Sequence, residues 1–153
     1  MLWRGDSLAG IKESQLDPGR APQAAAPDRT QTQLKQGAIL HQRGRLADAE
    51  NIYLSVLKDD PHSFDALNLL SIVTAQSGRD AEAAEIAARA IAINPRVAQP
   101  HNTRASALRN LGRFDQALVS YDSALAIEPD FLPALSGRAH TLTTLKRYDE
   151  AYA

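Results

Sequence analysis

Pro61, Pro95 and Pro129 lie 34 residues apart, and so do Gly44, Gly78 and Gly112. Ala49, Ala83, Ala117 and Ala151 keep the same interval. Three residue types sharing one offset through most of a chain define an internal repeat array. This limits the fold severely. Each unit is one supersecondary element that cannot bury its apolar face alone, so neighbours must stack. A stack of this kind presents an extended surface for binding and leaves little room for an enclosed catalytic pocket.

Counting from Thr30, Phe64, Ala98 and Leu132 gives units 30–63, 64–97, 98–131 and a partial 132–153. Each unit reads as two helices. The first has core positions three and four apart, as at Leu67, Leu70 and Thr74, or three apart at Leu108 and Leu111. Glycine takes positive φ at little cost, so Gly44, Gly78 and Gly112 are expected to end the first helices and turn the chain. Asp48, Asp80, Asp115 and Asp149 fall near the start of the second helices, where a carboxylate could accept from free amides. The second helices are expected to stop at Asp60-Pro61, Asn94-Pro95 and Glu128-Pro129, because proline disfavours α conformation in the residue before it. Pro100 and Pro133 fit in first turns, where the missing N–H has no helical partner to lose.

The alanines at 49, 83, 117 and 151 mark where the two helices of a unit approach most closely. Four residues on stand Tyr53, Ala87 and Tyr121, two of them large rings to fill the space between neighbours. The expected fold is therefore all-α: a right-handed solenoid of about three and a half helical hairpins.

Residues 1–29 differ from the array. They hold Pro18, Pro22 and Pro27, a run of small residues at Ala24-Ala25-Ala26, and balanced charges. They read as a disordered leader, with the only tryptophan, Trp3, as part of a loose terminus. The first residues lack the uninterrupted apolar core of a signal peptide, since Asp6, Lys12 and Glu13 interrupt it. No stretch reaches the ~20 apolar residues of a bilayer span. The net charge of −1 gives no electrostatic case for nucleic acid or anionic membrane. The absence of cysteine excludes disulfides and thiolate metal sites. A cytoplasmic location is the default expectation.

The pattern resembles the tetratricopeptide repeat, whose unit has a small residue eight in, an alanine followed four later by an aromatic, and a late proline. Gly37, Ala49, Tyr53 and Pro61 supply these in the first unit, and Ala105, Ala117, Tyr121 and Pro129 in the third. The second unit departs, with Ser71 and Ala87 in place of the early glycine and the aromatic. The early tryptophan is missing from all units, where Gln33, Leu67, His101 and Leu135 stand. The segments Leu40–Glu50 and Gly112–Leu125 are further similar to bacterial arrays of the Spindly type. Those often precede a glycosyltransferase domain like that of O-linked N-acetylglucosamine transferase. The resemblance implies an interaction module and brings no catalytic residue to this chain.

It also implies where a partner would lie, since in such stacks the first helices line the concave side. Positions five, nine and twelve of each unit share one helical face. They are Leu34, Ala38 and His41; Asn68, Ile72 and Ala75; Asn102, Ser106 and Arg109; and Ser136, His140 and Thr143. The groove thus begins apolar and becomes polar. Asn68 and Asn102, one repeat apart, are candidates to hydrogen-bond a peptide backbone, because an amide side chain both donates and accepts. Chaperone-tail binders of the family hold a terminal carboxylate with lysine and asparagine, where this chain has Leu34 and Ala38. The transferase relatives use an asparagine ladder one place further on, where this chain has Lys35, Leu69, Thr103 and Gly137.

Catalytic chemistry is not expected. His41, His62, His101 and His140 never pair at helical metal-ligand spacing, and no phosphate loop, dinucleotide fingerprint or Gly-x-Ser-x-Gly occurs. No cofactor or metal is therefore assigned. In the fourth unit Lys146 stands where the others have the turn glycine, at a cost of about 1 kcal/mol if that position needs positive φ. The unit lacks the late proline and a capping helix. It is expected to be the least stable part, the mark of a truncated chain or of an open end that docks or self-associates. The expected function is binding of a peptide or partner helix in the concave groove. The alternative is recruitment for a larger glycosyltransferase.

Overall fold

The computed structural model describes residues 28–152; the expected leader with Trp3 lies outside them up to residue 27. The described residues form seven helices: α1 Arg29–Gln42, α2 Leu46–Asp59, α3 Phe64–Gln76, α4 Asp80–Ile93, α5 Ala98–Asn110, α6 Phe114–Ile127 and α7 Leu132–Tyr152. Each helix packs on the next along the chain. First helices also touch their counterparts one repeat away: α1 meets α3, α3 meets α5, and α5 meets α7. The backbones of the second helices α2, α4 and α6 do not approach one another, and Arg79 at the start of α4 reaches Glu50 on α2 only through its side chain, at 2.6 Å. A stack whose first helices are in contact and whose second helices are apart curves with the first helices on the inside.

The turns between paired helices are built on the expected glycines. Gly44, Gly78 and Gly112 have φ of 75°, 77° and 75°. Around Gly44 its N–H donates to the His41 carbonyl at 2.9 Å, and the Arg45 N–H donates to the Leu40 carbonyl at 2.9 Å. This two-bond closure satisfies the last carbonyls of α1, and it recurs at Gly78 and Gly112. The following arginine then starts the second helix. The Arg45, Arg79 and Arg113 carbonyls accept from the N–H groups of Ala49, Ala83 and Ala117. Before the prolines, Asp60, Asn94 and Glu128 are extended and the second helices stop.

Two expectations need correction. The first-turn aspartates do not cap the second helices. Residues 45, 79 and 113 occupy the cap positions, and no side chain there bonds the free helix N–H groups. Asp48 instead pairs with Arg45 at 2.6 Å, and Asp80 accepts from Asn110 at 3.0 Å. These carboxylates lie inside the helix, so arginine and asparagine side chains reach them before the free amides do. The second correction concerns the fourth unit, where α7 runs through Lys146 without a turn. Holding lysine at positive φ costs about 1–2 kcal/mol, whereas continuing the helix gains a hydrogen bond per residue.

The core is narrow and alanine-rich. Ala49, Ala83 and Ala117 are fully buried, as are Tyr53, Ala87 and Tyr121 four residues on. The tyrosine rings lie against glycines. A Cβ placed on Gly37 would sit 2.5 Å from Tyr53 Cε1, and one on Gly137 would collide with the Tyr121 ring. Tyr121 thus bridges α6 to α7, while Tyr53 fills the space within its own unit. Their hydroxyls differ. The Tyr121 hydroxyl hydrogen-bonds Ser106 at 3.1 Å, fifteen residues earlier. The Tyr53 hydroxyl is buried without a partner, and the residue fifteen earlier is Ala38. Burial pushes the Tyr53 phenol above its ordinary pKa.

Gly37→Ala is expected to cost about 1–3 kcal/mol by overpacking, and Gly112→Ala about 1–2 kcal/mol by backbone strain alone, since nothing lies within 4 Å of an added Cβ. Urea denaturation separates the causes. In a Tyr53→Ala background the Gly37 cost should shrink while the Gly112 cost persists, and an undiminished Gly37 cost would refute the ring contact. Ala38→Ser should stabilise the protein by about 0.5–1 kcal/mol by giving Tyr53 the partner that Tyr121 has. Thermal melts read this gain, which must vanish in a Tyr53→Phe background.

Candidate functional site

The inner face belongs to the first helices, and the candidate residues fall on it unevenly. Leu34 and Ala38 on α1 and Asn68 on α3 meet in one depression of about 300 Å³. Lys35, Asp65 and Leu69 complete its wall. Leu34 and Leu69 also pack against the core below. The depression is therefore floored by aliphatic side chains and carries one charge of each sign. His41 lies at the end of this face, its Nε2 2.7 Å from Gln76 Oε1 at the C-terminus of α3. That contact ties α1 to α3 and uses one ring nitrogen of His41.

Ile72 and Ala75 are half-buried on α3. On α5 Asn102 is 9% exposed, and Ser106 is engaged by Tyr121. Arg109 is half-buried and reaches Asn110 Oδ1 at 3.4 Å. On α7, Ser136, His140 and Thr143 are exposed, and Thr143 returns its hydroxyl to the Ala139 carbonyl at 2.9 Å. Leu34, Ala38 and Asn68 therefore share a concavity, whereas the candidates on α5 are partly withdrawn into packing and those on α7 stand in solvent.

Four buried polar side-chain atoms among the described residues lack a partner: Asn68 Oδ1, Asn102 Oδ1, Tyr53 OH and Thr74 Oγ1. A native fold rarely leaves such groups unmatched, because each costs about 1–3 kcal/mol. Asn68 and Asn102 hold the same position in successive units, so the same acceptor is left open twice at one repeat's spacing. Thr74 differs. It stands in register with Leu40 and Leu108 and lies in the core, so its hydroxyl is a packing cost and no part of the inner face.

The neighbouring register, where relatives place an asparagine ladder, serves packing here. Leu69 joins the core, Thr103 donates to the Gln99 carbonyl at 3.1 Å, and Gly137 makes room for Tyr121. Of the depression's wall, Lys35 and Leu69 were visible in the sequence only as departures from that ladder. Asp65, three residues before Asn68, gave no signal, since a first-turn aspartate is expected on any helix. A second depression of about 230 Å³ involves Ala84, Arg104, Leu108 and Arg113 on the α4–α6 side. None of the four unpartnered atoms belongs to its lining. Among the described residues no three His, Cys, Asp or Glu side chains gather as a metal set, and no helix is long and apolar enough to cross a membrane.

Comparison with known proteins agrees with this geometry. Family models described as tetratricopeptide repeat match residues 34–98 and 98–131. No curated protein matches the sequence. Among solved structures, the first repeat domain of Spaghetti (RPAP3) bound to an HSP90 peptide is 18% identical with a TM-score of 0.73, covering 76% of this chain and 93% of that one. The Sgt2 repeat domain of Aspergillus fumigatus is 18% identical with a TM-score of 0.76, covering 85% and 88%. An O-GlcNAc transferase of Thermobaculum terrenum is 26% identical with a TM-score of 0.72 over 74% of this chain, which spans only 22% of that protein. With its helical hairpins, its glycine turns and the matched models in one register, the chain belongs to the tetratricopeptide-repeat family.

Proposed function

We propose that this chain is a protein-interaction module that holds an extended peptide or partner helix along the inner face of its first helices. The observation that carries this reading is the pair of unpartnered amide oxygens on Asn68 and Asn102, one repeat apart on that face. Such an acceptor is stabilised when a ligand N–H reaches it, and a peptide backbone offers N–H groups at regular intervals. Asn68 is half-buried but its Oδ1 is buried in the free protein, so a ligand N–H reaches it only if the amide turns. Asn102, at 9% exposure, has less freedom to do so. The 18% identical structure of similar fold carries a bound HSP90 peptide, which supports this reading. The lysine and asparagine that would hold a terminal carboxylate are replaced here by Leu34 and Ala38, so a different ligand end is expected.

A second reading rests on the likeness to the O-GlcNAc transferase: the array recruits substrates to a catalytic domain encoded further along the gene. It requires the reading frame to continue past Ala153 into a large α/β domain. A third reading, self-association, is supported by α7. Leu132, Leu135 and Leu142 are 74%, 41% and 41% exposed, and with Ala139 they form one stripe at three- and four-residue spacing. In the two preceding units the matching Leu67 and Leu108 are buried in the core.

Peptides selected from a random phage-displayed library on the full chain provide the probe. Asn68→Ala should weaken them about five- to tenfold, as expected for one lost hydrogen bond, and Asn102→Ala should weaken them less. Neither change should destabilise the free protein, because each removes an unmatched polar atom. Unchanged affinity in both variants would sink the groove reading. For self-association, sedimentation should show a mass that rises with concentration and returns to the monomer value in Leu135→Asp/Leu142→Asp. A monomer at all concentrations would remove that reading.

A further inference from the structure

We infer that the depression between α4, α5 and α6 docks acidic side chains of a partner protein, through two arginines whose own carboxylate partners are missing at this junction. The site is separate from the inner face, since none of the candidate residues there lines it. The neighbouring units show what such arginines hold. Arg45 pairs with Asp48, three residues on, at 2.6 Å. Arg79 pairs with Glu82, three residues on, at 3.2 Å, and with Glu50 on α2 at 2.6 Å. One repeat later Arg113 has neither acid: Gln116 stands three residues on, and Ala84 stands where Glu50 would recur. The same loss meets Arg104 from the other direction. Arg138 pairs with Asp122 on α6 at 2.7 Å. One repeat earlier the matching residues are Arg104 and Ala88.

Three acid positions are thus neutral at one junction while both arginines are kept, and all five residues line a single depression of about 230 Å³. Among the described residues neither arginine takes part in an ion pair. Arg104 is half-buried, and its Nη1 donates to the Ser120 hydroxyl at 3.2 Å, which leaves most of its fork free for a carboxylate. The scaffold does not need arginine there, because the preceding unit has the buried Leu70. Glu85 also lines the depression, is exposed and pairs with neither arginine, so the site keeps an excess of positive charge. Leu108 and the alanines below exclude water, which strengthens attraction for an incoming anion. Ala84 and Ala88 are one helical turn apart, so the vacated places suit two neighbouring acidic side chains. Side-chain carboxylates fill the matching places elsewhere in the array, and this favours an acidic protein segment over a free phosphate.

The probe is a fluorescein-labelled hexaglutamate peptide, read by fluorescence anisotropy on the full chain at low salt, with hexaglutamine as the neutral control. Hexaglutamate should bind, and added salt should weaken it. Arg104→Gln and Arg113→Gln should each weaken it about fivefold or more, the loss of one charge-assisted contact. Arg96→Gln, the same change in net charge at an exposed turn outside the site, should have little effect. Ala88→Asp keeps both arginines and should weaken the peptide as much, by giving Arg104 the partner that Arg138 has; Ala88→Asn should not. Circular dichroism confirms that each variant is folded. Binding no tighter than that of hexaglutamine would overturn the site. So would an equal loss in Arg96→Gln, the sign of general charge attraction, or indifference to Ala88→Asp. Displacement by inorganic phosphate at millimolar concentration would overturn the assignment to carboxylates. A loss in Asn68→Ala would place the peptide on the inner face instead, whereas unchanged binding there keeps the two sites distinct.

Discussion

The contact on which the array depends is the approach of a second helix to its first helix through a residue with no more than a β-carbon. Ala49, Ala83 and Ala117 are each fully buried, and their N–H groups bond the carbonyl of the arginine that leaves the turn. The glycine turn fixes where the second helix begins, and the alanine one turn later fixes how near it lies. A larger side chain there would push the helices apart and break the first-helix contacts from α1 to α7. The inner face exists because those contacts are kept while the backbones of the second helices stay farther apart.

This scaffold was legible in the sequence because it repeats. A glycine at positive φ, a proline after an extended residue and an alanine in a tight contact each tolerate few substitutes, so they recur at 34 residues. The helix boundaries at Gly44, Asp60, Gly78 and Asn94 follow from that chemistry. Elements that depend on reach or competition were less legible. Asp48 sits where a capping carboxylate could sit, and only the placement of Arg45 decides that it pairs sideways. At Lys146 the penalty of positive φ was evident, but its result, a helix that runs on, requires comparing two conformations of the same segment.

The inner face is legible in a different sense. Spacing identifies which positions line it, since five, nine and twelve share a helical face whatever residues occupy them. What each side chain does there depends on partners in other helices. Ser106 reads as a groove hydroxyl until Tyr121 is seen to hold it, and His41 as a free imidazole until Gln76 meets it. Thr103 reads as a polar position beside the groove, yet its hydroxyl closes back on its own helix. The repeat therefore predicts location well and availability poorly, because availability is set by the particular partner, 15 and 35 residues away for Ser106 and His41 and four for Thr103.

The second unit shows how one scaffold tolerates individual departures. Where the first and third units place a tyrosine, it has Ala87, and where the first has Gly37 it has Ser71, whose hydroxyl closes on the Asn68 carbonyl at 2.7 Å. The backbone of Asn68 is thus held by its own helix while its amide oxygen stays unmatched. Beside it, Ala38 leaves the Tyr53 hydroxyl unmatched as well. Two open polar atoms in adjoining units cost stability that the fold recovers elsewhere through its buried alanines and rings. Such costs fall at Ala38 and Asn68, which vary between units, and spare the glycine, alanine and proline positions that do not. The scaffold thus leaves individual positions free to vary, and two of the unmatched atoms, on Asn68 and Asn102, fall at one such position in successive units.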